Sequence, residues 1–107
     1  MDWFESARLG HVPTMKQHLK KAEDDQVEHF LDSEAEERQT ALHFTAQRGH
    51  FAACEWLLSM KADAGAITKK KATALHMAAS FGHLKAKNLV FDTIRRATRR
   101  RSEDQTV

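Results

Sequence analysis

Seven histidines and a single cysteine carry most of this chain's capacity for metal or nucleophilic chemistry. Four of the histidines fall into two His-x6-His pairs, His43 with His50 and His76 with His83. A zinc centre needs four ligands converging at bonding distance, commonly with thiolates among them. The chain must reverse at Gly49 and Gly82, because glycine takes the left-handed conformation that ends a helix without steric cost. The two members of each pair therefore do not line one helix face. Cys54 has no second thiol to join, and its apolar setting suits a small buried residue. No metal or other cofactor is expected. Glycine stands only at 10, 49, 65 and 82, so no phosphate-cradling loop or nucleophile elbow can be written. The acidic residues between 23 and 37 read as a solvated loop, and the chain is not expected to be an enzyme.

The same histidines mark a repeat. Thr40-Ala41-Leu42-His43 recurs 33 residues later as Thr73-Ala74-Leu75-His76, and Gly49-His50 recurs as Gly82-His83. A weaker copy, Ala7-Arg8-Leu9-Gly10-His11-Val12, aligns with Ala46 to Phe51 and with Ala79 to Leu84. Leu42, Phe44 and Ala46, then Cys54, Leu57 and Leu58, fit two short antiparallel helices sharing one apolar side. Alanines at 46, 53, 78, 79 and 86 allow helix pairs to approach closely. One such pair cannot bury its apolar side alone, so neighbours must stack. Helices are predicted near 2–9, 13–22, 41–48, 51–59, 74–81 and 84–94, the second opened by Pro13, with Met15 and Leu19 facing the core. His18 takes a core leucine position and reads as a partly buried, satisfied histidine.

A period of about 33 residues carrying a T-x-L-H phrase is the signature of a stacked helix–turn–helix array. Over residues 1–94 the chain resembles the ankyrin repeat family. That resemblance implies an all-α solenoid of about three helix–turn–helix repeats, near 1–32, 33–65 and 66–94, with short β-like fingers. It gives His43 and His76 a structural role, bonding to backbone near the preceding turn, while His50 and His83 begin second helices. The finger tips fall near 35–38 and 68–71. Arg38 and Lys71 occupy the family's glycine slot, where positive φ is often needed. Ser33 to Glu36 also fits a capping box, which would make the first finger partly helical.

The resemblance also implies a function, that of a non-catalytic module binding a protein partner through its finger tips and concave helix face. Family contacts come mostly from the fingers and from the two residues before each Gly-His. Carried over, these are Glu36, Glu37 and Gln39 with Lys69, Lys70 and Ala72, then Arg8-Leu9, Gln47-Arg48 and Ser80-Phe81. The acidic finger beside the basic one should be partly neutralised, since repeats stack about 10 Å apart, near the Debye length. That favours apolar anchors, Phe81 above all. The competing role for Phe81 is packing against the last helix or a finger.

Charge and length define the rest. Residues 1–94 hold 12 basic and 13 acidic side chains, whereas 95–107 hold five arginines against Glu103 and Asp104. The segment 95–107 is expected to be a disordered basic tail. Arg95, Arg96, Arg99, Arg100 and Arg101 suit a solvated end, a nuclear import signal or phosphate contacts to nucleic acid. A grip on an anionic membrane is less supported, because the tail lacks an apolar face. Thr98 and Ser102 each follow Arg-Arg-x, resembling sites for basophilic kinases. The alternative function is thus a nuclear or nucleic-acid-associated adaptor acting through the tail, and weak self-association of thin terminal repeats is a third reading. Glu5 and Ser6 at one end, and Lys85, Lys87 and Asn88 at the other, read as polar caps. The first repeat carries an insertion near 23–32, in which Val27, Phe30 and Leu31 have helical spacing. It covers that repeat or meets a partner. One cysteine and no signal peptide suggest a cytoplasmic, possibly also nuclear, protein, and no run approaches the roughly 18 apolar residues of a membrane span.

Overall fold

Each inner helix is opened by a short polar side chain. Asp2 accepts the Glu5 N–H at 2.7 Å, and Thr40 and Thr73 form reciprocal caps with the histidines three residues on. These caps satisfy backbone donors that have no partner in the first helical turn. The computed structural model describes residues 2–22, 30–31 and 33–105, with 97–105 described by backbone alone.

Among the described residues there are six α-helices: α1 Trp3–Leu9, α2 Val12–Lys21, α3 Ala41–Arg48, α4 Phe51–Ser59, α5 Ala74–Ser80 and α6 Leu84–Gln105. The first five match the expected spans to within one residue. They form three antiparallel pairs in two layers. Inner helix α3 packs between α1 and α5, while outer helix α4 packs against α6 and α2. The core lies between the layers and is built from Leu42, Leu57, Cys54, Val90 and the alanines at 46, 53, 78 and 86. In the first repeat Trp3 fills the leucine position. Its ring meets His18 at 6.4 Å, Phe30 at 5.7 Å and Trp56 at 6.3 Å. Leu31 is buried too, so this end of the insertion covers the first repeat. Val27 and the remainder of 23–29, with Asp32, lie outside the described residues.

Four expectations need correction. The fingers are not β-like: no strand occurs among the described residues, and the first tip is a 3-10 turn at Glu36–Arg38. Each finger is closed by one backbone bond, Ala35 N–H to Gln39 O at 2.8 Å and Thr68 N–H to Ala72 O at 2.9 Å, too little for a ladder. Ser33 does not cap that turn; its hydroxyl donates back to the Phe30 carbonyl at 2.8 Å.

The second correction concerns the tail. α6 continues to Gln105, through most of the segment expected to be disordered. No glycine or proline interrupts it after Gly82, and arginine and alanine are good helix formers. Third, the last repeat is not capped by polarity. His76, Ala79 and Phe91 are exposed, although the equivalent His43 and Ala46 are buried and Leu58 is half-buried. That face is the one a following layer covers in the middle repeat, and alanine and phenylalanine there are not polar replacements. Fourth, Ser6 is no wet cap. It is fully buried and donates to the Trp3 carbonyl at 2.7 Å.

Candidate functional site

The inner helices fix two ends of the molecule, with fingers at their N-termini and the Gly-His turns at their C-termini. Eight helical residues rising about 1.5 Å each put those ends about 12 Å apart along α3. The proposed contact residues divide accordingly. Glu36, Glu37, Gln39, Lys69 and Lys70 gather on the fingers, whereas Arg8, Leu9, Gln47, Arg48, Ser80 and Phe81 lie at the turn ends.

The two fingers are joined backbone to backbone. The Lys69 N–H donates to the Glu37 carbonyl at 2.8 Å, which makes one ledge of the two tips. Glu37, Arg38 and Lys71 have φ of 62°, 58° and 65°, so the tips adopt left-handed geometry without glycine. Such a conformation costs an ordinary residue about 1–2 kcal/mol. Glu36, Glu37, Lys69 and Lys70 are all exposed on this ledge, while Gln39 is half-buried. Arg38 bonds Glu34 at 3.0 Å within its own finger.

His43 holds the ledge to the helices. Its Nδ1 accepts the Thr40 N–H at 3.0 Å, which leaves the proton on Nε2. Nε2 then donates to the carbonyls of Ala66 at 3.0 Å and Ala72 at 3.2 Å, both in the next repeat. The role expected for this residue covered only the bond back to its own turn; the forward bridge was missed. Burial holds the His43 imidazole below its ordinary pKa, against the raising effect of those two carbonyls. His76 repeats the backward bond, accepting the Thr73 N–H at 3.1 Å, but is exposed.

At the other end each Gly-His pair makes a contact between repeats. The His50 ring lies on Gly10, and its Nε2 donates to the Arg8 carbonyl at 2.8 Å. A Cβ on Gly10 would stand 2.5 Å from His50 Cγ, and one on Gly49 would stand 2.7 Å from His83 Cγ. These glycines therefore serve twice, since they end an inner helix at positive φ and admit the next repeat's imidazole. On the inner face the Arg8 guanidinium sits 4.6 Å from the centre of the Phe44 ring, a cation–π stack. Ser80 and Phe81 are exposed, Phe81 by more than half.

Nothing in this arrangement is poised for bond-making chemistry. Cys54 is fully buried, its thiol pushed up in pKa by that burial while it donates to Thr45 Oγ1 at 3.2 Å. A thiol in that state is a poor nucleophile at neutral pH. Among the described residues no three of His, Cys, Asp and Glu come together as a metal ion would require.

A family profile described as ankyrin repeats matches residues 4–97 in three copies. The chain belongs to the ankyrin repeat family. No curated protein matches it. Ankyrin repeats generally act as protein–protein interaction modules and are typically non-catalytic. In this ankyrin stack no described helix is long and apolar enough to cross a membrane. Arg95 and Arg96 are exposed on α6, and the side chains of Thr98, Arg99, Arg100, Arg101 and Ser102 lie outside the described residues.

Proposed function

We propose that this ankyrin stack is a non-catalytic, intracellular binding module that engages a protein partner through its finger ledge and inner-helix face. The observation that carries the reading is the ledge itself. Four charged side chains are held on fingers that are fixed to each other and to His43, yet none of the four has a printed role in holding the stack together. A rigid, preorganised surface loses little conformational freedom on binding. Phe81 adds an exposed aromatic at the far end of the inner face, the residue type most often dominant in an interface.

Phe81→Ala tests the reading. Partner affinity, measured by titration with the purified partner recovered on the intact chain, should weaken by about 1–3 kcal/mol. The melting temperature should stay within a few degrees of wild type, because the ring is mostly outside the core. A large fall in melting temperature with unchanged affinity would place Phe81 in the core and remove the anchor. Glu36→Lys with Glu37→Lys should also lower affinity, since it reverses the ledge's acidic half.

A further inference from the structure

The turn edge, opposite the fingers, combines two features that the protein-binding reading does not use together. Leu9 (55 % exposed), Phe51 (39 %), Phe81 (55 %) and Leu84 (66 %) stand at the three successive Gly-His turns. Scattered exposed apolar residues are ordinary on a soluble protein; four at equivalent turns of three stacked repeats form a row. Inner helices packed about 8–10 Å apart make that row about 20 Å long.

Every ionisable residue of these turns is basic or a histidine. Arg8, His11 and Lys16 belong to the first, Arg48 and His50 to the second, and His83, Lys85 and Lys87 to the third. The nearest carboxylates in sequence, Glu5 and Glu55, lie about one helical turn back along α1 and α4. Helices α2, α4 and α6 also begin here, so three helix dipoles turn their positive ends to the same edge. The row is a crest of protruding turns rather than a groove between helices, which suits a plane better than an extended peptide.

Exposed apolar side chains among cations, with no acid between them, are the requirements for binding at a lipid interface. We propose that this edge docks the protein on an anionic lipid surface. The four apolar side chains enter the boundary between headgroups and acyl chains, and Arg8, Lys16, Arg48 and Lys85 meet the anionic headgroups. Long cationic side chains can keep their charge at that level while their stems cover apolar surface. The inner leaflet facing the cytoplasm supplies such lipids. This goes beyond the protein-binding reading and does not need it.

Sedimentation of the full chain with vesicles tests the proposal. Vesicles of phosphatidylcholine with about 30 mol% phosphatidylserine should carry the protein down, and pure phosphatidylcholine should not. High salt should release it. Phe51→Ser with Leu84→Ser should lower binding at least about fivefold. Neither residue is in the partner set, so protein binding should survive. Because Phe51 is partly packed, Lys16→Glu with Lys85→Glu provides a second variant at exposed positions, and it should lower binding comparably. Arg99→Ala, Arg100→Ala and Arg101→Ala together should have a much smaller effect. No binding to phosphatidylserine vesicles would overturn the proposal. So would binding lost only in the arginine variant, which marks adsorption by the tail, or edge variants that lose an acidic protein partner while vesicle binding is unaffected.

Discussion

His43 and His76 make the same bond at the same place in successive repeats, so they form an internal control for what holds one repeat to the next. Each accepts the N–H of its own N-cap threonine, at 3.0 and 3.1 Å. Only His43 is shown bonding forward, with Nε2 3.0 Å from the Ala66 carbonyl and 3.2 Å from the Ala72 carbonyl. His76→Ala therefore removes a cap bond, which costs about 1 kcal/mol. His43→Ala removes that bond, leaves two carbonyls without their donor at about 1–3 kcal/mol, and opens a void where a buried ring stood. The expected difference between the variants is about 2–3 kcal/mol. In a domain of this size 1 kcal/mol moves the melting temperature by about 4–8 °C, so the gap should be about 10–20 °C. Urea unfolding followed by far-ultraviolet circular dichroism measures it through the midpoints, provided the slopes agree. His43→Gln serves as a milder variant if the alanine form does not fold. Equal costs at the two positions would refute the idea that the bridge to the next repeat stabilises the stack.

The positive φ of Arg38 and Lys71 predicts that Arg38→Gly and Lys71→Gly each raise stability by about 0.5 kcal/mol, because relief of the left-handed penalty exceeds the added flexibility of the unfolded chain; a lower urea midpoint would contradict it. Gly49→Ala should be more destabilising than Gly82→Ala, since both have positive φ but only the first Cβ meets a neighbouring ring, while nothing lies within 4 Å of the second. Acid should destabilise the stack through His43. Its folded pKa lies below the unfolded value, so below about pH 6.5 the unfolded chain binds more protons and stability falls as pH drops. Urea midpoints measured from about pH 7 to pH 5 should decline, by at most about 1.4 kcal/mol per pH unit from this one proton, and His43→Gln should flatten that decline.

Much of the helical architecture could be read from the repeated phrases, because each encodes a local requirement. Threonine and histidine cap an inner helix, and glycine ends it. What the phrases could not convey is contact between repeats. That the His50 ring occupies the space over Gly10, or that His43 reaches Ala66 and Ala72, involves residues more than 20 positions apart, and their periodicity only hints that they meet. The tail misled for a different reason. Its arginines signalled solvation, but a charged segment without glycine or proline can still extend a helix already nucleated by α6. The uncovered face of the last repeat was visible in outline, since Phe91 falls where Leu58 stands one repeat earlier. Substitutions at 85, 87 and 88 drew attention away from it. The finger geometry was half legible: the glycine slots were found, but not that Arg38 and Lys71 would adopt glycine's conformation there.

Site-specific photo-crosslinking tests the central claim most directly. A photoreactive residue placed at Lys69 samples the finger ledge, one at Gln47 samples the inner-helix end, and one at Glu55 samples the exposed side of outer helix α4. With the partner bound to the intact chain, crosslinks should form from positions 69 and 47 and not from 55. Crosslinks from position 55 alone would place the partner on the outer layer and contradict binding through the fingers and inner face.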